Sequence, residues 1–457
     1  MSFKIFSTFT GAGGLDIGFH GDFHYLDTYY PKLNFQTLKA LELNKFACET
    51  LEADNKYFAH TEVLNKDITK VDPHEFKDEN YDVLLGGFPC VTFSIVGKRV
   101  GVKDDINGKL YESFVQFVEA LQPKVFLAEN VKGILSANKG EAIKIITKRF
   151  EETGYKLKVQ LVNFANYGVP QLRERVLFIG VRKDIDDEFT IPEPTHKDNH
   201  ITTKEAFEKI NKNCVNNNLM KQLATTTAKL EAIPEGGNFK DLPPELAVKA
   251  MMSNIYRKLE RNKPAYTVLA SGGGGTWSYH YEEPRALTNR ERARLQTFPD
   301  DIIFKGSNTE VRRQIGNAVP AVGVYPFAKE IERILKKALL IKKKKFNGKS
   351  ISVRQIDKKM VRKYRFPIKF NWYGYPDLSH YSILNIRCLT LKGDYDKDIP
   401  KIEKIIKKKY SNWKNQDEYL WVYNKNSKSM DYVPKDLYLA IGNICNLPKF
   451  KMFTSKP

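Results

Sequence analysis

Long apolar runs are missing from this chain. None approaches the ~20 residues needed to span a bilayer, which excludes a membrane-spanning helix. Paired cysteines are missing too: Cys48, Cys90, Cys214, Cys388 and Cys445 stand far apart, with no Cys-x-x-Cys pair. That argues against a zinc site or a disulfide framework and for a reducing compartment, and no metal is expected. Met1–Ile5 leads straight into strand-like sequence without the pattern of a secretory signal, so the expected location is cytoplasmic. Acid is also short, with 54 Asp+Glu against 74 Lys+Arg and a net charge of +20. The imbalance is local. Residues 341–457 carry 27 basic and 10 acidic residues, the first 340 carry 47 and 44, so the excess belongs to the tail. Such asymmetry favours a polyanionic partner.

A length of 457 residues allows two or three domains with a substantial core. Within it, the stretch around which the rest is organised is Tyr81-Asp82-Val83-Leu84-Leu85-Gly86-Gly87-Phe88-Pro89-Cys90. It begins as an apolar strand, breaks at two glycines and delivers a cysteine behind a proline. Pro89 removes a backbone donor and biases Phe88 towards extended geometry, so the turn is stiff. A thiol presented at a strand end is a candidate nucleophile; alone, the segment would read more simply as a buried free cysteine.

The neighbouring segments change that weighing. Lys4–Phe9 reads as a strand, and Thr10-Gly11-Ala12-Gly13-Gly14-Leu15 as a glycine turn opening a helix, where unpaired N–H groups can meet a ligand. A second strand, Leu38–Glu42, ends in an acid, as strands that hold ribose hydroxyls do. Asp67 closes a third strand-like segment, Asn65–Thr69. Together these read as a site for a nucleoside-bearing cofactor, either a dinucleotide or another adenosine compound. Leu110, Phe114, Phe117 and Leu121 recur at helical spacing, most simply as core. Strand Pro123–Val131 ends at Glu129, and in a parallel sheet its carboxyl end shares a crevice with Cys90. A helix is expected around Gly140–Thr153 and a strand around Lys156–Phe164. Period-two geometry puts Gln171, Arg173 and Arg175 on one strand face, suited to an anion or an electron-rich ring edge.

The set resembles the DNA (cytosine-5)-methyltransferases, the S-adenosylmethionine-dependent enzymes of bacterial restriction-modification systems. The matching runs are Phe9-Thr10-Gly11-Ala12-Gly13-Gly14, Gly87-Phe88-Pro89-Cys90, Glu129-Asn130-Val131, Gln171-Leu172-Arg173-Glu174-Arg175, the stretch Arg285–Asp300, and Gln314-Ile315-Gly316-Asn317-Ala318-Val319-Pro320. They occur in the family's order over roughly residues 3–335. Val91 stands where Gln is usual, and Thr10 where Ser is usual; neither touches the nucleophile, the acid or the arginines.

The resemblance implies an α/β fold: a doubly wound, mostly parallel Rossmann-like methyltransferase sheet, with a small target-recognition domain; the charge and aromatics of the tail add a basic C-terminal domain beyond the family's pattern, which ends near Ile341. The implied divisions are a catalytic domain at 1–182, recognition at 183–284 and a return to the catalytic domain at 285–340; the lysine run Lys342–Lys345 reads as a linker to a C-terminal domain at 346–457. It implies that Cys90 attacks carbon 6 of a flipped cytosine and that Glu129 favours protonation at nitrogen 3. Arg175 would contact the cytosine oxygen, and Arg173 orient the base or the cysteine loop. For S-adenosylmethionine it implies Phe9, Gly11, Gly13, Gly14, Leu15, Glu42, Asp67, Ile68, Pro89 and Asn317. Implied partners are double-stranded DNA and a cognate restriction endonuclease acting on the same site, with a monomeric enzyme. The alternatives are an RNA (tRNA) cytosine-5 methyltransferase or a non-catalytic DNA-binding regulator on the same fold. A dinucleotide-dependent oxidoreductase would explain the glycine loop but none of the later runs.

Between the arginine run and Arg285, prolines, polar runs and Ser271-Gly272-Gly273-Gly274-Gly275-Thr276-Trp277 suit a loop approaching DNA, with Arg257, Lys258, Arg261 and Lys263 nearby for phosphates. In the tail, Trp372, Tyr373, Tyr375, Trp413, Trp421, Tyr423 and Tyr432 are too many aromatics for a disordered segment, so a small folded module is expected, binding nucleic acid or a partner subunit.

Overall fold

The computed structural model describes residues 2–53, 56–89, 106–211, 213–249, 254–270 and 278–346, with only short segments beyond. Cys90, Val91 and the glycine run 271–277 lie outside the described residues. Residues 2–335 form one compact unit.

In chain order, β1 (Phe3–Thr8) turns through glycines into α1 (Gly14–His20), and a hairpin of β2 (Phe23–Tyr25) and β3 (Thr28–Tyr30) follows. Next come β4 (Phe35–Glu42), α2 (Lys45–Glu52), β5 (Glu62–Asn65), β6 (Val83–Gly86), α3 (Ile106–Leu121) and β7 (Val125–Val131). The chain continues through α4 (Glu141–Glu152), β8 (Tyr155–Asn163), β9 (Gln171–Leu172) and β10 (Glu174–Arg182). The expected recognition interval supplies α5 (Thr203–Phe207), α6 (Ala224–Ala232) and β11 (Ala265–Tyr266), and the return supplies α7 (Asn289–Leu295), α8 (Asn308–Asn317) and α9 (Ala321–Phe346).

Seven strands make one sheet in the order β5-β4-β1-β6-β7-β10-β8. The first five run parallel, while β10 is antiparallel to both β7 and β8. The order reverses between β1 and β6, the place where an open α/β sheet leaves a crevice at its strand ends. β6 and most of β7 are buried because helices cover both faces, which is why their sequences read as continuous apolar runs. On one face, Phe114, Phe117, Val118 and Leu121 of α3 pack with Phe6, Phe76, Phe126, Phe150 and Phe178 in an aromatic-rich core. Truncating one such fully buried phenylalanine to alanine would cost about 3–5 kcal/mol.

Three sequence expectations are corrected. The run Gln171–Arg175 is not a single strand. β9 pairs in parallel with β11 in a separate two-stranded sheet, and the chain breaks at Arg173, whose N–H turns back to the Gln171 carbonyl at 2.9 Å. The third strand stops at Asn65, because Asp67 caps the turn Ile68–Lys70 instead of extending it. Lys342–Lys345 form the end of α9, not a separate linker, since no glycine or proline follows Pro326 before Phe346 to interrupt helix-forming sequence.

Residues 336–457 belong to the second compact unit. Its described pieces are the end of α9, a helical stretch at residues 401–406, and antiparallel strands: β12 (Ser350–Ile351), β13 (Ile368–Phe370) and β14 (Pro376–Asp377) in one sheet, β15 (Leu384–Arg387), β16 (Tyr419–Asn424) and β17 (Ser429–Pro434) in another. Trp421 and Tyr423 lie on β16 and Tyr432 on β17; Trp372, Tyr373, Tyr375 and Trp413 lie outside the described residues.

Candidate active site

The ends of β1, β4, β6 and β7 open on one cavity of about 530 Å³. Its lining includes Phe9, Gly11, Leu15, Glu42, Asp67, Ile68, Pro89, Glu129, Arg173, Arg175 and Asn317. Gly13 and Gly14 are not among its lining residues. A Cβ on Gly13 would sit 2.2 Å from the Phe58 ring, and one on Gly14 2.4 Å from the Val319 carbonyl oxygen, so both glycines serve close packing of the turn.

The turn after β1 is shaped at Phe9, held at φ +50°, where a non-glycine side chain is strained. Glu42, at the end of β4, fixes the same turn from the side. One carboxylate oxygen accepts the Gly11 N–H at 2.8 Å and the other the Asn44 N–H at 2.7 Å. Burial pushes its pKa up against these donors. Asp67 accepts the Thr69 N–H and hydroxyl on Oδ1, and those bonds hold its carboxyl below the ordinary range. The second lone pairs of Glu42 and the Oδ2 of Asp67 remain for a ligand's hydroxyl or amino groups.

Across the cavity, β7 carries Glu129, 7% exposed, and Asn130, 1% exposed. Asn130 donates to the Phe88 carbonyl at 3.0 Å, which ties the turn leading into Cys90 to the end of β7. A Cβ on Gly87 would lie 3.6 Å from Glu129 Oε2, so the backbone of that turn passes beside the carboxylate. Because β10 is antiparallel, its first residues lie beside the last of β7, with Arg175 opposite Val131. That register lets Arg175 Nε reach Glu129 Oε1 at 2.8 Å. Arg175 Nη1 also donates to the Glu174 carbonyl at 2.8 Å.

Arg173 does something different from its neighbour. It is 1% exposed, and its guanidinium donates to the carbonyls of Gly316 (3.1 Å) and Ala318 (2.9 Å) and, at 3.4 Å, of Val268. Burial pulls its pKa down to about 9, with Arg175 adding to the effect, which still leaves it charged at neutral pH. Arg173 thus clamps the turn bearing Asn317. Gln171 donates to Gln296 Oε1 at 2.8 Å, and Gln296 donates to the carbonyls of Ile315 and Ala318, which holds the same turn from behind.

Sequence reasoning missed one cluster. Asp16, buried on α1 and lining the cavity, accepts the Ser7 hydroxyl at 2.9 Å and the Thr37 hydroxyl at 2.8 Å. The Thr10 hydroxyl donates to Ser7 Oγ at 3.1 Å. Burial raises the Asp16 pKa to about 6, against those hydroxyl bonds. The only signal in sequence was an acid in the first turn of a helix, a position acids favour for the helix dipole alone.

A family model described as C-5 cytosine-specific DNA methylase matches residues 3–333. The chain is 47% identical over 337 residues to the Type II methyltransferase M.NgoFVII of Neisseria gonorrhoeae, covering 72% of this chain and 86% of that protein. It is 39% identical over 370 residues to the Type II methyltransferase M.BbvI of Brevibacillus brevis, covering 78% and 98%. Among solved structures, a putative DNA modification methyltransferase encoded within an Escherichia coli prophage superposes with a TM-score of 0.54 at 23% identity, over 73% of this chain and 100% of that one. A Spodoptera frugiperda DNMT2 variant gives 0.51 at 16% identity, over 73% and 100%. These two likenesses establish the α/β fold.

Proposed function

The chain belongs to the C-5 cytosine-specific DNA methylase family, and from that premise we propose that its cavity takes S-adenosylmethionine beside Glu42 and Asp67 and a flipped cytosine beside Glu129 and Arg175. The protein is a DNA (cytosine-5-)-methyltransferase. The observation that carries the assignment of residues is that one cavity is lined both by the strand-end acids Glu42 and Asp67 and by the Glu129–Arg175 pair.

The residues suit the methyl donor. The cavity volume is in the range of small-molecule sites. Glu42 meets the glycine turn as ribose-binding acids do, and nothing lies within 4 Å of a Cβ on Gly11, so backbone there is open to a ligand. When bound, S-adenosylmethionine supplies an electrophilic methyl group to carbon 5 of the cytosine. The chain's residues prepare that carbon. Cys90, as thiolate, forms a bond to carbon 6 and so raises electron density at carbon 5. Glu129 holds the nitrogen-3 edge and shares a proton there, offsetting the charge that builds on the ring during attack. Arg175 keeps Glu129 oriented through Nε and has Nη2 to offer to the cytosine oxygen. Water takes the carbon-5 proton, the carbon 6–sulfur bond breaks with Cys90 leaving as thiolate, and the carbon 5–carbon 6 double bond re-forms.

The similarity to Type II methyltransferases supports a place in a restriction-modification system, with duplex DNA as substrate and a cognate endonuclease sharing the site. A monomer in the reducing cytoplasm suits a reactive free thiol. Sequence recognition falls to residues 183–284, and the basic module at 346–457 adds polyanion affinity.

Transfer of labelled methyl groups into duplex DNA tests the residue roles. Cys90→Ala should abolish transfer and retain DNA binding. Turnover in that variant would remove Cys90 as nucleophile, and labelling of RNA alone would overturn DNA as substrate.

A further inference from the structure

The interval 183–284 meets the catalytic part of the chain at the strand pair β9–β11, in which Leu172 stands opposite Tyr266. Alternation sorts the side chains of this pair. Gln171, Arg173, Ala265 and Val268 are at most 1% exposed, while Leu172 and Tyr266 are 40% and 39% exposed and Leu269 is 42% exposed. The buried side is tied to the cavity wall. Gln171 Oε1 accepts the Val268 N–H at 3.0 Å, and Arg173, which lines the cavity, donates to the Val268 carbonyl at 3.4 Å. The Thr267 hydroxyl donates across the pair to the Leu172 carbonyl at 2.7 Å. The exposed side thus has a braced backbone beneath it, and Leu172 is one residue from Arg173. A single exposed leucine needs no explanation; a leucine and a tyrosine in register beside a site call for one.

Arg257 brings a charge to this face. Its guanidinium lies over the Tyr266 ring, 4.3 Å from the ring centre. The neighbouring basic groups are engaged elsewhere: Lys258 is buried with Nζ 3.4 Å from the Leu230 carbonyl, Arg261 is paired with Glu235 at 2.8 Å, and Lys263 with Glu260 at 2.7 Å. A guanidinium held over an aromatic ring keeps its in-plane N–H groups available at its edge, which suits an acceptor on DNA.

We infer that Leu172 and Tyr266 form an apolar platform for the DNA strand that carries the flipped cytosine, with Arg257, held by Tyr266, taking an acceptor of that strand. The inference rests on the reading of the cavity as the pocket of a base flipped from duplex DNA. A cytosine that leaves the helix for the Glu129–Arg175 end of the cavity brings its own strand to the cavity's edge, beside the pair that joins the catalytic part to the recognition interval. The sugars and bases flanking an extruded nucleotide have lost a stacking neighbour, and apolar side chains offset part of that loss. Size argues the same way. Three partly exposed side chains offer far less than the ~800 Å² per partner of a stable protein–protein interface, whereas a nucleic-acid strand is held by a few stacking and charged contacts.

The test uses the full-length protein and a duplex with 2-aminopurine at the position of the target cytosine, in the site found by mapping 5-methylcytosine in an expressing host. The probe brightens when it leaves the stack. Tyr266→Ala and Leu172→Ser should each weaken duplex affinity about tenfold and lower the flipped fraction at saturation. S-adenosylhomocysteine affinity and melting temperature should not change, and Tyr266→Phe should retain duplex affinity and flipping. Arg257→Gln should also weaken duplex binding, and by less in the Tyr266→Ala background, where the ring that holds the guanidinium is gone. Unchanged duplex affinity in Tyr266→Ala and Leu172→Ser, additive losses for Arg257 and Tyr266, or S-adenosylhomocysteine affinity falling in step with duplex affinity would overturn the platform. If Tyr266→Ala does not fold, Leu172→Ser together with Arg257→Gln in the Tyr266→Leu background decides. A wild-type dimer that Leu172→Ser dissociates in sedimentation would give the face to a second copy and overturn the inference. Wild type that binds RNA and no duplex would overturn the flipped-cytosine reading, and the inference with it.

Discussion

Arg175 Nε stands 2.8 Å from Glu129 Oε1 because β10 runs against β7 and begins where β7 ends. Both side chains are largely buried, so the pair is worth more than a surface ion pair, and losing one partner leaves the other charge stranded. It also fixes which carboxylate oxygen faces the arginine and leaves Oε2 on the side of the Gly87 turn.

Glu129→Gln keeps volume and removes the acid. Single-turnover methylation should slow by about 10²- to 10⁴-fold, the usual worth of a positioned proton donor, and the urea midpoint should fall, because Arg175 is left with a buried charge and no carboxylate partner. Arg175→Ala should lose stability by about 3 kcal/mol, as breaking a buried pair does. The double variant should recover part of that stability and none of the activity. Additive stability losses would show that the two side chains do not act on each other.

Arg173 should behave otherwise. Its three carbonyl partners lie on the Val268 segment and on the turn of Gly316 and Ala318. Arg173→Lys cannot reproduce the planar fork, and the loss of stability should be about 2–4 kcal/mol, since buried carbonyls are left without donors. Urea unfolding checks it. A variant of unchanged stability with abolished catalysis would make Arg173 a substrate contact.

The Asp16 and His20 shifts predict opposite acid responses. The Asp16 carboxyl, moved from 3.8 to about 6, holds a proton in the folded state that the unfolded chain has released; its contribution is full below pH 3.8 and lost as pH rises to about 6. His20, moved from 6.5 to about 4, contributes stability present above pH 6.5 and lost as pH falls to about 4. In wild type the two slopes largely offset each other. In Asp16→Asn only the histidine slope remains, and between pH 6.5 and 4 the variant should lose about 3 kcal/mol more than wild type. Parallel pH–stability curves would contradict the shifts.

For the tail, a chain ending at residue 346 should bind duplex DNA more weakly and with a shallower salt dependence, because fewer phosphates are neutralised. The methylated site should not change. Filter binding over a salt series checks the first expectation, and a shifted site would show that residues 347–457 read sequence.

Much of the sheet was legible in sequence. Val83–Gly86 and residues 125–130 are buried on both faces, and a continuous apolar run admits few other readings. Glu42 and Glu129 were legible as the acids that close the apolar runs of β4 and β7. The orientation of β10 was not, because period-two spacing is identical in parallel and antiparallel strands. Nor was the division of labour between Arg173 and Arg175. Two residues of one type, two positions apart, differ only in what the fold places opposite them: carbonyls of the 316–318 turn for one, a carboxylate for the other. Asp16 was missed because nothing in sequence shows that the fold brings Ser7 of β1 and Thr37 of β4 onto its carboxylate.

The most direct test of the central claim is a base-resolution map of 5-methylcytosine in the DNA of a methylation-deficient bacterial host expressing the full chain, beside the same host expressing Glu129→Gln. The wild type should place 5-methylcytosine at one recurring sequence context, and the variant should leave those positions unmodified or nearly so. A wild-type map without 5-methylcytosine, or a variant map equal to it, would contradict the account.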